Sequence, residues 1–180
     1  MLFLPNAFSL IVLPLINFMV ICFTFRDEIY RYDYNVIIKS KYFLKHTYYT
    51  LWFALILQAI GNIIIIRFLQ IKEPDISFAY HIIAAPIMSV IFSALNEEVI
   101  YRKIIFRHLD QKYGFWIGVI LSSLIFMVSH YNYAGWLGYF LISVAWCYSY
   151  KRTGNIGINI ISHVIINLAF FIKVSFMGVG

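Results

Sequence analysis

Six long apolar runs divide this chain, near Phe3 to Phe25, His46 to Ile66, Tyr80 to Phe106, Phe115 to Tyr131, Gly135 to Tyr150 and Ile156 to Phe176. Crossing about 30 Å of hydrocarbon takes roughly 20 predominantly apolar residues, and without water to satisfy its backbone such a segment has to be helical. The pattern predicts an all-α fold: a polytopic transmembrane bundle of about six spans, forming a single membrane domain over residues 1–180. Composition agrees, because 62% of the residues are hydrophobic and only 12% charged, against about 25% charged in soluble domains.

The connections carry the charge. Residues 26–45 mix Arg, Lys, Asp and Tyr with short apolar stretches, a pattern expected of an interfacial connection rather than a span. Pro74, amid Lys72, Glu73 and Asp75, breaks the loop after the second run. The N-terminus lacks the basic region of a signal peptide, so the first run is expected to be a retained helix. The net charge of +6 is spread over short loops, which suits acidic lipid headgroups and argues against nucleic acid as a partner. Cys22 and Cys147 each sit in an apolar run and offer no disulfide framework and no zinc-type spacing.

Lys and Arg accumulate in cytoplasmic loops. Eleven of the fourteen fall in or at the edge of the first, third and fifth connections, leaving Arg67, Lys72 and Lys173 on the other side. The expected location is therefore the cell membrane, multi-pass, with both termini on the outer side.

Six of the eight acidic residues lie in polar connections, whereas Glu97 and Glu98 lie inside the third apolar run. An ionised side chain there costs several kcal/mol unless it is partnered, which makes an intramembrane carboxylate a functional-site candidate. The structural alternative for Glu98 is an ion pair with Arg102, four residues on and hence on the same helical face.

Four-residue spacing sorts the polar groups into stripes. Ala85, Ser89, Ser93 and Glu97 form one; Gly118, Ser122, Phe126 and His130 a second; Asn155, Asn159, His163 and Asn167 a third. Small and hydroxyl-bearing stripes face neighbouring helices rather than lipid, so each should turn its Glu or His into the bundle. Depth permits a meeting. With turns near Lys112 and Thr153, Glu97 and His130 differ in height by about 5 Å, and Asn167 reaches a similar level.

A carboxylate and an imidazole that share a water supply the parts for general-base hydrolysis, and a second imidazole with the Asn167 amide offers donors to a developing oxyanion. Other uses of the same residues stay open at this level. Glu97, His130 and His163 form a possible zinc set. Cys147 with His130 is a weaker thiol pair. The polar cluster also suits a proton relay, or interhelical glue in a non-catalytic immunity or partner-binding protein. Zinc His-Glu-x-x-His, exposed Ser-turn and Gly-x-Gly-Asp motifs are absent from the sequence.

Three motifs carry a family resemblance. Glu97-Glu98-Val99-Ile100-Tyr101-Arg102 resembles the Glu-Glu-x-x-x-Arg motif of the CPBP intramembrane proteases, which include the CAAX prenyl endopeptidases and relatives linked to bacteriocin processing and immunity. Phe126 to His130 resembles the family's Phe-x-x-x-His motif and His163 to Asn167 its His-x-x-x-Asn motif, in the family's order. The likeness runs from about residue 84 to 171. It departs at Tyr101, where Phe is usual, at Lys103, where Gly is common, and in the number of spans.

The resemblance implies a glutamate-type intramembrane endopeptidase that cleaves a membrane-associated peptide, such as a prenylated or leader-peptide substrate, with no cofactor. It implies that Glu97 and His130 activate the water, that His163 and Asn167 form the oxyanion site, and that Glu98, Arg102 and Phe126 support them. The expected partners are a peptide or protein substrate and the bilayer.

Overall fold

The computed structural model describes residues 7–27, 42–70 and 88–177. Within them the chain is almost wholly helical, in six helices: α1 (Ala7–Thr24), α2 (residues 43–69), α3 (residues 88–113), α4 (Phe115–Ser129), α5 (Trp136–Thr153) and α6 (Ile156–Met177). The all-helical bundle expected from the apolar runs is the observed architecture. Most of the 26–45 connection, the loop around Pro74 and residue Ala85 of the first polar stripe lie outside the described residues.

Sharp turns sit where a left-handed backbone is available. Gly114 (φ 87°) separates α3 from α4 and Gly154 (φ 63°) separates α5 from α6, as glycine at a helix C-terminus commonly does. The N-terminus of α6 is closed by Asn155, whose Oδ1 accepts from the Gly157 amide at 2.9 Å. Between α4 and α5 the backbone turns at Tyr131 (φ 49°) and makes one tight helical turn over Tyr133–Gly135.

Phe43–Phe68 and Ile156–Lys173 are long and apolar enough to cross a membrane, while Pro14–Thr24 and Phe115–Ser129 are apolar but shorter. The third run is less apolar than it first reads, because α3 bears Glu97, Glu98, Arg102, Lys103 and Arg107. Large apolar side chains such as Trp52, Ile56, Trp116, Ile120, Ile165 and Ile172 point outward, the inversion of a soluble surface that lipid contact permits.

Helix α5 is the hub, packed on α2 and α4 and touching α3 and α6. It supplies Ile142, Ala145 and Trp146 to a core shared with Ala54, Phe126 and Ile166, and Cys147 and Tyr150 to a second core with Phe106, Val119 and Ile156. The α2–α5 crossing is set by two glycines: a Cβ on Gly61 would lie 2.6 Å from the Gly138 amide nitrogen. Backbones meet there because neither residue has a side chain, the means by which helices in lipid gain close contact. Thr50 and Ser149 add an interhelical hydrogen bond of 2.6 Å.

Candidate active site

The helix that carries both carboxylates is regular only around them. Ala94–Glu98 has α geometry, and the flanking turns, Met88–Ser93 and Val99–Phe106, are wider π turns, a distortion frequent at functional sites. Adjacent residues on a helix point about 100° apart, and the two glutamates accordingly meet different surroundings. The Glu98 side chain is completely buried, whereas that of Glu97 is 22% exposed at the rim of the bundle.

Glu98 is held from three sides. Its Oε1 pairs with the Arg102 guanidinium at 3.1 Å and accepts from Nδ1 of His163 at 2.9 Å. Its Oε2 accepts from Nδ2 of Asn159 at 3.2 Å. Arg102, equally buried, donates to Ser143 Oγ at 3.0 Å and lies over the rings of Phe126 and Trp146, 4.4 and 4.9 Å from their centroids. The ion pair weighed as the structural alternative is present, and it coexists with a contact from Glu98 to His163. Such a buried pair repays its desolvation only as far as its remaining polar valences are filled; His163 and Asn159 fill those of Glu98 and Ser143 takes one Arg102 nitrogen, while Nε of Arg102 has no hydrogen-bond partner.

Glu97 faces the histidines. Its Oε1 accepts from Ser93 Oγ, one turn earlier. Its Oε2 makes no direct hydrogen bond and lies 3.7 Å from Nε2 of His130 and 3.8 Å from Nε2 of His163. Those separations exceed a hydrogen bond and suit a bridging water.

Both imidazoles are fixed from behind. His130 caps the C-terminus of α4, and its Nδ1 lies 2.8 Å from the Phe126 carbonyl, one of the last-turn carbonyls that the helix leaves free. A carbonyl only accepts, so Nδ1 carries the proton and Nε2 is turned toward Glu97. The ring stacks on Tyr139 at 4.1 Å. His163 has the same polarity: Nδ1 donates to Glu98, Nε2 faces Glu97, and the ring stacks on Trp146 at 4.2 Å.

Of the seven residues expected to form the site, Glu97, Glu98, Arg102, Phe126, His130 and His163 come into mutual contact. Asn167 is half-buried on α6, one turn beyond His163, and is related to the cluster by helical register. Sequence reasoning did not assign roles to Asn159, Trp146, Ser143 or Tyr139. Asn159 had a signal in its place on the His163 stripe. The α5 residues had none, because their partners lie on other helices. Among the described residues no three His, Cys, Asp or Glu side chains form a metal-binding group.

Residues 79–169 match the Rce1-like family, type II CAAX prenyl endopeptidase. The chain is also similar to a protein of Bacillus subtilis (strain 168) described as "Putative membrane peptidase YdiL", with 34% identity over 87 residues. That alignment covers 47% of this chain and 36% of the relative, so the chain spans about a third of the length of the curated protein it matches. No solved structure matches.

Proposed function

The chain belongs to the Rce1-like, type II CAAX prenyl endopeptidase family, and on that premise we propose that it is an intramembrane glutamate-type endopeptidase that cleaves a membrane-associated peptide with a water activated by Glu97 and His130. One observation carries the reading. Oε2 of Glu97 lies free of direct hydrogen bonds between the Nε2 atoms of His130 and His163, at 3.7 and 3.8 Å. A water between Glu97 and His130 donates its protons to these acceptors as its oxygen attacks the scissile carbonyl, which is general-base catalysis. His163 and the Asn167 amide stabilise the resulting oxyanion, and the proton taken by the base passes to the leaving amine. Donation by His163 from Nε2 requires a proton on each ring nitrogen, since Nδ1–H is already given to Glu98.

The substrate is a peptide presented from the bilayer, prenylated or leader-like, and the enzyme crosses the membrane several times with both termini outside. Hydrolysis proceeds without a metal. The decisive experiment is Glu97→Gln in the purified chain. This near-isosteric amide accepts no proton, and because Glu97 is partly exposed and outside the Glu98–Arg102 pair, the variant is expected to fold yet lose cleavage by about 10²- to 10⁴-fold. Cleavage at the wild-type rate refutes the proposal.

A further inference from the structure

Asn159 lies outside all three motifs, yet it is completely buried and connects the parts of the site. Its Nδ2 donates to Glu98 Oε2 at 3.2 Å and to the Trp146 carbonyl at 2.9 Å. Three helices are thereby joined at one amide: α6, which carries Asn159 and His163; α3, through Glu98; and α5, through Trp146. Two of the groups it holds are the two that hold His163. Glu98 takes the Nδ1 proton at 2.9 Å, and Trp146 lies flat against the ring with an interplanar angle of 26°. Trp146 is tied back to α6 a second time, by Nε1 donating to Ser162 Oγ at 3.2 Å.

We propose that Asn159 is a positioning residue: by fixing Glu98 and the Trp146 backbone together, it keeps His163 with Nδ1–H bound to Glu98 and Nε2 aimed at the reacting atoms beside Glu97. With Arg102 and His163 both on Oε1 of Glu98, the carboxylate can still turn and offer its other oxygen. The Asn159 amide removes that freedom by occupying Oε2. Register explains why this residue does it, because Asn159 precedes His163 by one turn and therefore faces the same side of the bundle. Ring orientation set by a carboxylate behind the imidazole is a recurring device in hydrolases. Where that carboxylate was replaced by its amide in a serine protease, turnover fell by about 10⁴-fold. Asn159 acts one step further back, so a smaller effect is expected.

The proposal rests on the catalytic reading of Glu97, His130 and His163, and the test separates the two. The full chain is purified with ¹⁵N-labelled histidine, and the His163 ring nitrogens are observed in wild type and in Asn159→Ala, alongside kcat and KM for peptide cleavage. The wild-type spectrum is expected to show a hydrogen-bonded proton on Nδ1 of His163. Asn159→Ala is expected to shift that signal and lower kcat by about 10- to 100-fold, with KM changed less than about 3-fold, while the His130 signals stay in place. Should Asn159→Ala fail to fold, Asn159→Ser, which retains one donor, is measured in the same way and is expected to give an intermediate loss. Unchanged kcat, or a loss of kcat with an unmoved His163 signal, overturns the positioning role. A wild-type Nδ1 without a proton overturns it without any variant. An inactive wild type refutes the proposed function, and the spectra still decide whether Asn159 holds the ring.

Discussion

Glu98 Oε1 accepts a hydrogen bond from Nδ1 of His163 at 2.9 Å, and its sequence neighbour Glu97 faces the opposite nitrogen of the same ring at 3.8 Å. One imidazole thus stands between two consecutive glutamates, bound to one and directed at the other. The buried Glu98 belongs to an ion-pair network, and the partly exposed Glu97 faces the two histidines.

The two glutamates should therefore differ in what they do for stability. Glu98→Ala leaves the Arg102 guanidinium buried without its counter-ion, a defect that costs about 3–5 kcal/mol. Glu97→Ala removes a rim carboxylate whose direct hydrogen bond is to Ser93, and a loss of about 1 kcal/mol is expected. Unfolding of the purified variants in detergent measures both. Equal losses contradict the assignment. Pairing Glu98→Leu with Arg102→Met should recover part of the stability, as apolar replacement of buried ion pairs often does, without restoring cleavage.

Asn167→Ala is expected to lower kcat by about 10²- to 10³-fold with little change in KM, the signature of a lost oxyanion donor. A rise in KM at constant kcat would assign Asn167 to substrate binding instead. Steady-state cleavage of a peptide reporter distinguishes these results.

Metal-independent hydrolysis predicts that strong chelation leaves cleavage by the purified chain unchanged and that elemental analysis finds no stoichiometric zinc. Loss of activity on chelation, restored by zinc, would make Glu97, His130 and His163 a metal set and overturn the water-activation mechanism.

The α2–α5 crossing predicts a steep size dependence at Gly61. A Cβ there would lie 2.6 and 2.7 Å from backbone atoms of Gly138 and Leu137, and backbone cannot swing aside as a side chain can. Gly61→Ala should destabilise the bundle by about 1–3 kcal/mol, measured as a lower unfolding midpoint. Gly114→Ala meets no atom within 4 Å and is limited to the strain of its backbone (φ 87°, ψ 167°), about 1–3 kcal/mol. An unchanged unfolding midpoint for Gly61→Ala contradicts the crossing.

The proposed orientation predicts that the α5–α6 turn, next to Lys151 and Arg152, faces the cytoplasm. With Cys22 and Cys147 replaced by Ser, a Thr153→Cys variant in intact cells should resist a membrane-impermeant thiol reagent and react once the membrane is opened. Labelling in intact cells reverses the topology.

Much of the fold was legible along the chain because it depends on local properties. Apolar runs predicted the helices, and the turns expected near Lys112 and Thr153 fall at Gly114 and Gly154. Spacing of four put Glu98 beside Arg102, and that pair forms at 3.1 Å. The candidate residues were legible for a similar reason, since carboxylates and imidazoles are conspicuous in an apolar chain. The wide turns on both sides of Ala94–Glu98 were not, because π geometry reflects tertiary strain rather than a residue preference.

By itself the sequence determined a helical membrane bundle and the residues able to do chemistry in it, because hydrophobicity and helical period act within a single segment. The tertiary structure alone decided what surrounds each of those residues. Glu97 and Glu98 are chemically identical neighbours, set apart by Ser93 and Arg102 of their own helix and by what other helices bring to them. Asn159 and His163 reach Glu98 from 61 and 65 residues away, Ser143 secures Arg102 from α5, and His130 reaches Glu97 from the end of α4. These contacts depend on how helices cross and on their relative depth, which the helical period of any one segment does not contain.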